Sequence, residues 1–260
     1  MLEVCVEDLS GLREALAGGA GRIELCSALS LGGLTPSAAL VGVAVRGSVP
    51  VHVLIRPRAG DFLYDRGEEE LIATDIRAAV DAGAAGVAIG ANRPGALLDG
   101  PMLQRLVSVA REAAARRDTS VALTLHRAFD LCADPLAALE AVITLGFDRV
   151  LTSGGAGSAM AGRQMLAALA NQARGRIRIL AAGGIDPGNV AAVLDTGVDE
   201  IHASCQVPPS PPDARLFELG FAQPRHGHAT AGSVGALVSA IEEWHARRGS
   251  PDRQHQESAE

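Results

Sequence analysis

Short apolar runs, each followed by a longer amphipathic segment, alternate along the whole of this chain. LEVCV (2–6) reads as a strand, and Asp8 or Ser10 caps a helix that stops at Gly18-Gly19. RIELC (22–26), VPVHVLIRP (49–57), Gly86–Gly90, the run from Val121, DRVLTS (148–153), RIRILAAGG (176–184) and DEIHAS (199–204) repeat the strand pattern. Helical periodicity follows at about 37–45, 68–82, 100–116, 135–145, 154–173 and 187–196, and again at 233–247. Strands alternating with helices imply right-handed crossovers and a parallel sheet. Eight such units in 260 residues fit a single (β/α)8 TIM-type barrel over residues 1–248, with a C-terminal helix and a short disordered polar tail over 249–260. The rival, a doubly wound open sheet, lacks its strand–GxGxxG–helix fingerprint here.

The strands are not uniformly apolar, as parallel strands buried on both faces should be. In strand one Glu3 and Cys5 share a face opposite Leu2, Val4 and Val6; in strand two Glu24 and Cys26 oppose Ile23 and Leu25. His52 and Arg56, Thr124 and His126, and His202 and Ser204 fall on the same polar side of their strands. In a closed barrel the apolar side packs on the helices and the other points inward. Unpaired charge in such an interior costs several kcal/mol, so Glu3 and Glu24 are expected to pair with Arg56, Arg127, His52 or His126. Polar groups at N-terminal strand ends (Glu3, His52) read as structural, and those at C-terminal ends as functional, because barrel sites sit at that face.

Composition narrows the function. The net charge is −7 and Phe, Trp and Tyr total seven, which argues against nucleic acid as a partner. No apolar run is long enough to span a membrane. The opening MLEVCVEDL carries acids where an export signal needs bases, and the four cysteines have no disulfide-framework spacing; a cytoplasmic protein with free thiols is expected. The chain has no lysine, which removes Schiff-base chemistry from consideration.

The densest chemistry is VALTLHRAFDLCADP (121–135), a strand that delivers His126, Arg127 and Asp130 before Asp134-Pro135 starts a helix. With Glu24 and Arg56 it suggests a mouth in which Glu24, His126 and Asp130 are acid–base groups and Arg56 and Arg127 clamp a small anionic ligand; the plainer alternative is a salt-bridge network. AAGGIDPGNV (181–190) and Ser204 suggest a phosphate cradle at Gly183 and Gly184 where a strand runs into a helix, against the simpler reading of a turn that needs glycine.

EVCVEDL, RIELCSALSLGGLTPS (22–37), IRPRAGDFLY (55–64), TLHRAFD (124–130), RVLTSG (149–154) and His-x-Ser (202–204), in order and in register from about residue 2 to 204, resemble the CutC family, the so-called copper homeostasis proteins. The resemblance implies a TIM-type barrel, a cytosolic and self-associating protein, and a role in copper homeostasis with Cu(I) binding, with Cys5 and Cys26 at the ligand positions. Thiolates are soft donors suited to Cu(I); the bland reading of both residues is that of small buried hydrophobes. Two departures stand out: Ala59 replaces a glycine, and the turn after strand seven reads Ala181-Ala182-Gly183-Gly184. Two functions from different classes thus remain: a copper-binding homeostasis protein, and an isomerase, lyase or hydrolase acting on a small, possibly phosphorylated, anionic substrate.

Overall fold

The computed structural model describes residues 1–207, 214–219 and 227–249, with the side chains of Phe217 and Gly249 excepted. Eight parallel strands close into a barrel: β1 (Leu2–Val6), β2 (Arg22–Leu25), β3 (Val51–Leu54), β4 (Gly86–Ile89), β5 (Ala122–Leu125), β6 (Arg149–Thr152), β7 (Arg178–Ala181) and β8 (Glu200–Ala203). Each strand pairs with its sequence neighbours, and β8 closes on β1 through Leu2–Ile201, Glu3–His202 and Val4–Ala203. The strands are shorter than their apolar patterns. Cys26, Arg56, His126 and Ser204 all lie just beyond strand ends, where side chains are set by loops as much as by the sheet.

The helices are α1 (Leu9–Ala17), α2 (Ala38–Ala44), α3 (Arg66–Ala82), α4 (Gly100–Arg116), α5 (Pro135–Thr144), α6 (Arg163–Ala173), α7 (Val190–Leu194), α8 (Ala214–Glu218) and α9 (Ala231–Gly249). Local chemistry starts several of them. Asp8 rather than Ser10 caps α1 by accepting from Gly11 N at 2.7 Å. Asp65 and Glu68 form a capping box at α3, and Asp134 caps α5 with Pro135 in its first turn. The expected polar tail lies outside the described residues, except that Gly249 ends α9.

Outward-facing strand residues such as Val4, Ile23, Val53, Val87, Leu123, Val150, Ile179 and Ile201 are buried against the helices in one continuous core. The inward face is layered. At the N-terminal end the barrel is plugged by charge: Arg22 donates to Glu3 and, at 2.6 Å, to Glu200, while Arg149 Nε donates to Glu200 at 2.9 Å. All four side chains are buried, and Arg178 reaches Glu200 from the exposed rim at 3.3 Å. The pairing therefore differs from the expected one. Arg56 and Arg127 belong to the other end of the barrel, and Arg22, on the polar side of β2 two residues before Glu24, takes their place.

Strand β4 makes room for two imidazoles. A Cβ on Gly86 would meet the His52 ring at 2.5 Å, and one on Gly90 would meet the His126 ring at 2.4 Å. The inward positions Gly86, Ala88 and Gly90 are small so that histidines from both neighbouring strands can lie across them.

Candidate functional site

Above the plug, at the C-terminal mouth, lies a cavity of about 240 Å³. Of the residues singled out from the sequence, Cys5, Glu24, Cys26, Arg56, His126, Arg127, Gly183, Gly184 and Ser204 line it. His202 and Phe62 line it as well.

Its floor is an acid–imidazole–thiol cluster. His202 Nδ1 lies 2.7 Å from Glu3 Oε1 and its Nε2 3.8 Å from Glu24 Oε2, and its ring also hydrogen-bonds Cys5. Burial opposes charge on His202, but Cys5, Glu24 and Glu3 outweigh it and raise its pKa well above the ordinary value. Glu3, between His202 and Arg22, is held far below the carboxylate range despite its burial. Burial pushes Glu24 up to about 7, with Glu3 adding to the rise and His202 opposing it. Glu24 and His202 thus form a proton donor–acceptor pair facing the cavity. His202 was visible in the sequence as an inward position of the last strand; its role required knowing that β8 closes on β1 and brings it against Glu3.

Glu3, Glu24 and His202 each offer an atom within 4.8 Å of the others. They are a poor cradle for a hard cation, because Arg22 and His202 already occupy the Glu3 oxygens.

The thiols sit on adjacent strands. Cys5 is level with Glu24 in the β1–β2 register, and Cys26 is one inward position further, its backbone N–H bonded to Val6 O at 3.0 Å. Cys26 Sγ lies 3.4 Å from Val6 O and packs with Leu54, Ala88 and Leu29, and burial raises its pKa strongly.

His126 is not a base. Its Nδ1 accepts from Ala128 N–H at 3.2 Å, and burial together with the Arg56 charge lowers its pKa to about 3. The neutral ring therefore carries its proton on Nε2, where it can only donate. Asp130, expected beside it as an acid–base group, does not line the cavity. Its carboxylate accepts from Thr152 Oγ1, Ser153 N and Oγ, Gly155 N and Arg127 Nε, tying the β5 loop to the β6 loop. Arg127 is half-exposed on the rim and is engaged by Asp130 at 2.8 Å and Ser153 Oγ at 2.7 Å.

Arg56 donates to the carbonyls of Leu31, Gly33 and Gly60 at 2.8–3.0 Å, pinning two loops. It and His126 flank the ring of Phe62, each 4.9 Å from the ring centroid. The expected phosphate cradle at β7 takes a different form. Helix α7 starts only at Val190 and has five residues, so no helix end converges on Gly184. Gly183 is required by its φ of +104° and by its approach to Ser153 and Ala159, the turn-forming role of glycine.

The fold and mouth define a (β/α)8 barrel with a polar, thiol-bearing site among its βα loops. The chain belongs to the CutC family, whose model matches residues 1–207. It is 44% identical over 243 residues to a family protein CutC of Sinorhizobium medicae, covering 93% of this chain and 96% of that one. A family protein CutC of Agrobacterium fabrum is 48% identical over 223 residues, 85% of this chain and 86% of its own. Among solved structures, the copper homeostasis protein CutC of Streptococcus agalactiae superposes with a TM-score of 0.72 at 27% identity, covering 78% of this chain and 98% of that chain. Thiamine phosphate pyrophosphorylase of Pyrococcus furiosus, at TM-score 0.55 and 17% identity over 94% of this chain and 96% of its own, shares the fold. No helix among the described residues is long and apolar enough to cross a membrane.

Proposed function

We propose that this protein takes part in copper homeostasis by holding Cu(I) between the sulfurs of Cys5 and Cys26. The observation that carries the reading is that two thiols from adjacent strands open onto one cavity at the mouth of the barrel. The name carried by the Streptococcus agalactiae relative supports it. Two thiolates suit a soft, low-coordinate ion, and the charged imidazole of His202 beside Cys5 offsets the negative charge they bring. Because burial raises the Cys26 pKa, the metal must displace its proton, so apparent affinity rises with pH. The test is competition for Cu(I) against a chromogenic chelator. The wild type takes one equivalent, and the Cys5→Ser, Cys26→Ser double variant takes none; stoichiometric binding by the double variant refutes the assignment.

A second reading, acid–base chemistry on a small anionic substrate, is favoured by one arrangement. Glu24 and His202 face each other at 3.8 Å on the cavity floor. In that reading this pair moves the proton and His126 donates a hydrogen bond. A panel of phosphorylated and carboxylated metabolites that neither raises the melting temperature nor is turned over counts against it.

A further inference from the structure

Two donors on one wall of the cavity have nothing to donate to. His126 Nε2 and Arg56 Nε are both buried and both without a hydrogen-bond partner. His126 is 3% exposed and Arg56 7%, and both residues line the cavity. The vacancy on His126 is not a matter of ring orientation, since Nδ1 is committed to the Ala128 N–H and the remaining nitrogen bears the proton. Arg56 carries a second deficit. Its three hydrogen bonds go to neutral carbonyls, and among the described residues no carboxylate lies within 4.0 Å of its guanidinium. The other buried arginines among the described residues, Arg22 and Arg149, each have an acid in direct contact. An unpaired buried donor costs about 1–3 kcal/mol and an unpaired buried charge more. Such deficits persist where a ligand removes them.

We infer that the Arg56–His126 wall is a binding site for a small oxyanion, a carboxylate or a phosphate group, whose oxygens accept from His126 Nε2–H and Arg56 Nε–H. The ring of Phe62 packs on both donors, with the guanidinium and the imidazole each 4.9 Å from its centroid. The low pKa of His126 suits the role, because the donor stays in one tautomer over the physiological range. Asp130 already neutralises Arg127 on the rim, which leaves Arg56 as the cation without a counter-charge facing the cavity. The inference deepens the second reading above by naming the donors that hold its anion, and binding read by titration separates it from that reading, which fails or stands on turnover. An oxyanion here can be the anchor of a substrate or a ligand that accompanies the metal.

Isothermal titration with inorganic phosphate and with oxalate, at fixed ionic strength, tests it. At least one binds the wild type. His126→Phe, which keeps an aromatic ring against Phe62 but removes the donor, weakens that binding by about ten- to a hundredfold. His126→Gln, which restores an N–H, recovers part of it. Arg46→Ala, which removes an exposed cation between α2 and β3 at the opposite end of the barrel, leaves it unchanged. Phosphate binding without oxalate identifies a phosphoryl ligand, and the reverse a carboxylate. Arg56→Met is expected to abolish binding, but it also frees the loops at residues 31–33 and 60, so His126→Phe decides the matter. Failure of both anions to bind, or equal binding by His126→Phe and wild type, overturns the assignment.

Discussion

Replacing Arg22 by Met should cost more than any other single truncation in the barrel interior. Arg22 is 2% exposed and is the one group among the described residues that touches both Glu3 and Glu200. Methionine fills much of the volume but leaves Glu3 with His202 at 2.7 Å and the neutral ring of His52 at 3.8 Å, and Glu200 with Arg149 and the rim arginine Arg178. Breaking a buried ion pair from one side costs about 3–5 kcal/mol, because the remaining charge is stranded. Counting instead two charge-assisted hydrogen bonds at about 1.5–3 kcal/mol each gives a similar range. For a chain of this length that corresponds to a fall in Tm of roughly 6–20 °C. Urea unfolding should show a lower midpoint at an unchanged slope. Adding Glu3→Gln should recover part of the loss, since the stranded charge is then gone. A variant within about 1 kcal/mol of wild type would refute the idea that the plug is held by these pairs.

Two further outcomes follow from the mouth and the barrel interior. Asp130→Ala releases its contacts with Thr152, Ser153, Gly155 and Arg127 and should lower stability by about 2–4 kcal/mol, read by thermal melting; unaltered stability with lost ligand binding would return Asp130 to a direct role. His52 and His126 are held at about 4 and about 3, chiefly by burial. As pH falls below their ordinary 6.5 the unfolded chain takes up protons first, so stability present above 6.5 is lost as pH approaches 4. His52→Gln should flatten that acid limb in urea midpoints compared at pH 7 and pH 5, and an unchanged slope would show that the ring is not buried neutral.

The fold was legible because strand–helix alternation survives in the sequence at every repeat and a polar inward face at strands one, two, three, five and eight. Residues whose placement follows from that alternation, Cys5, Glu24, Cys26, Arg56 and His126, do converge on one cavity. The same rule, applied to the first residue of each strand, would have found Arg22, Arg149 and Glu200. Partners were less legible. Which acid meets which arginine depends on depth along the barrel axis, and that is set by strand stagger. Asp130 was misplaced, and the bonds of Arg56 were missed, for a different reason: Asp130 is spent on Ser153 and Gly155, and Arg56 pins Leu31, Gly33 and Gly60 while it lines the cavity. Loop paths leave no periodic trace in a sequence.

The plug is assembled from both ends of the chain. Glu3 and Arg22 come from the first two strands, Arg149, Arg178 and Glu200 from the last three. Cut between β4 and β5, the N-terminal fragment keeps Glu3 and Arg22 as a pair but loses His202, and Glu24 is left without an imidazole. The C-terminal fragment inherits two arginines on a single carboxylate. Neither piece is electrostatically closed, so half-barrels of this protein should not persist as folded units, and exchange of halves with another barrel would require the five residues to travel together.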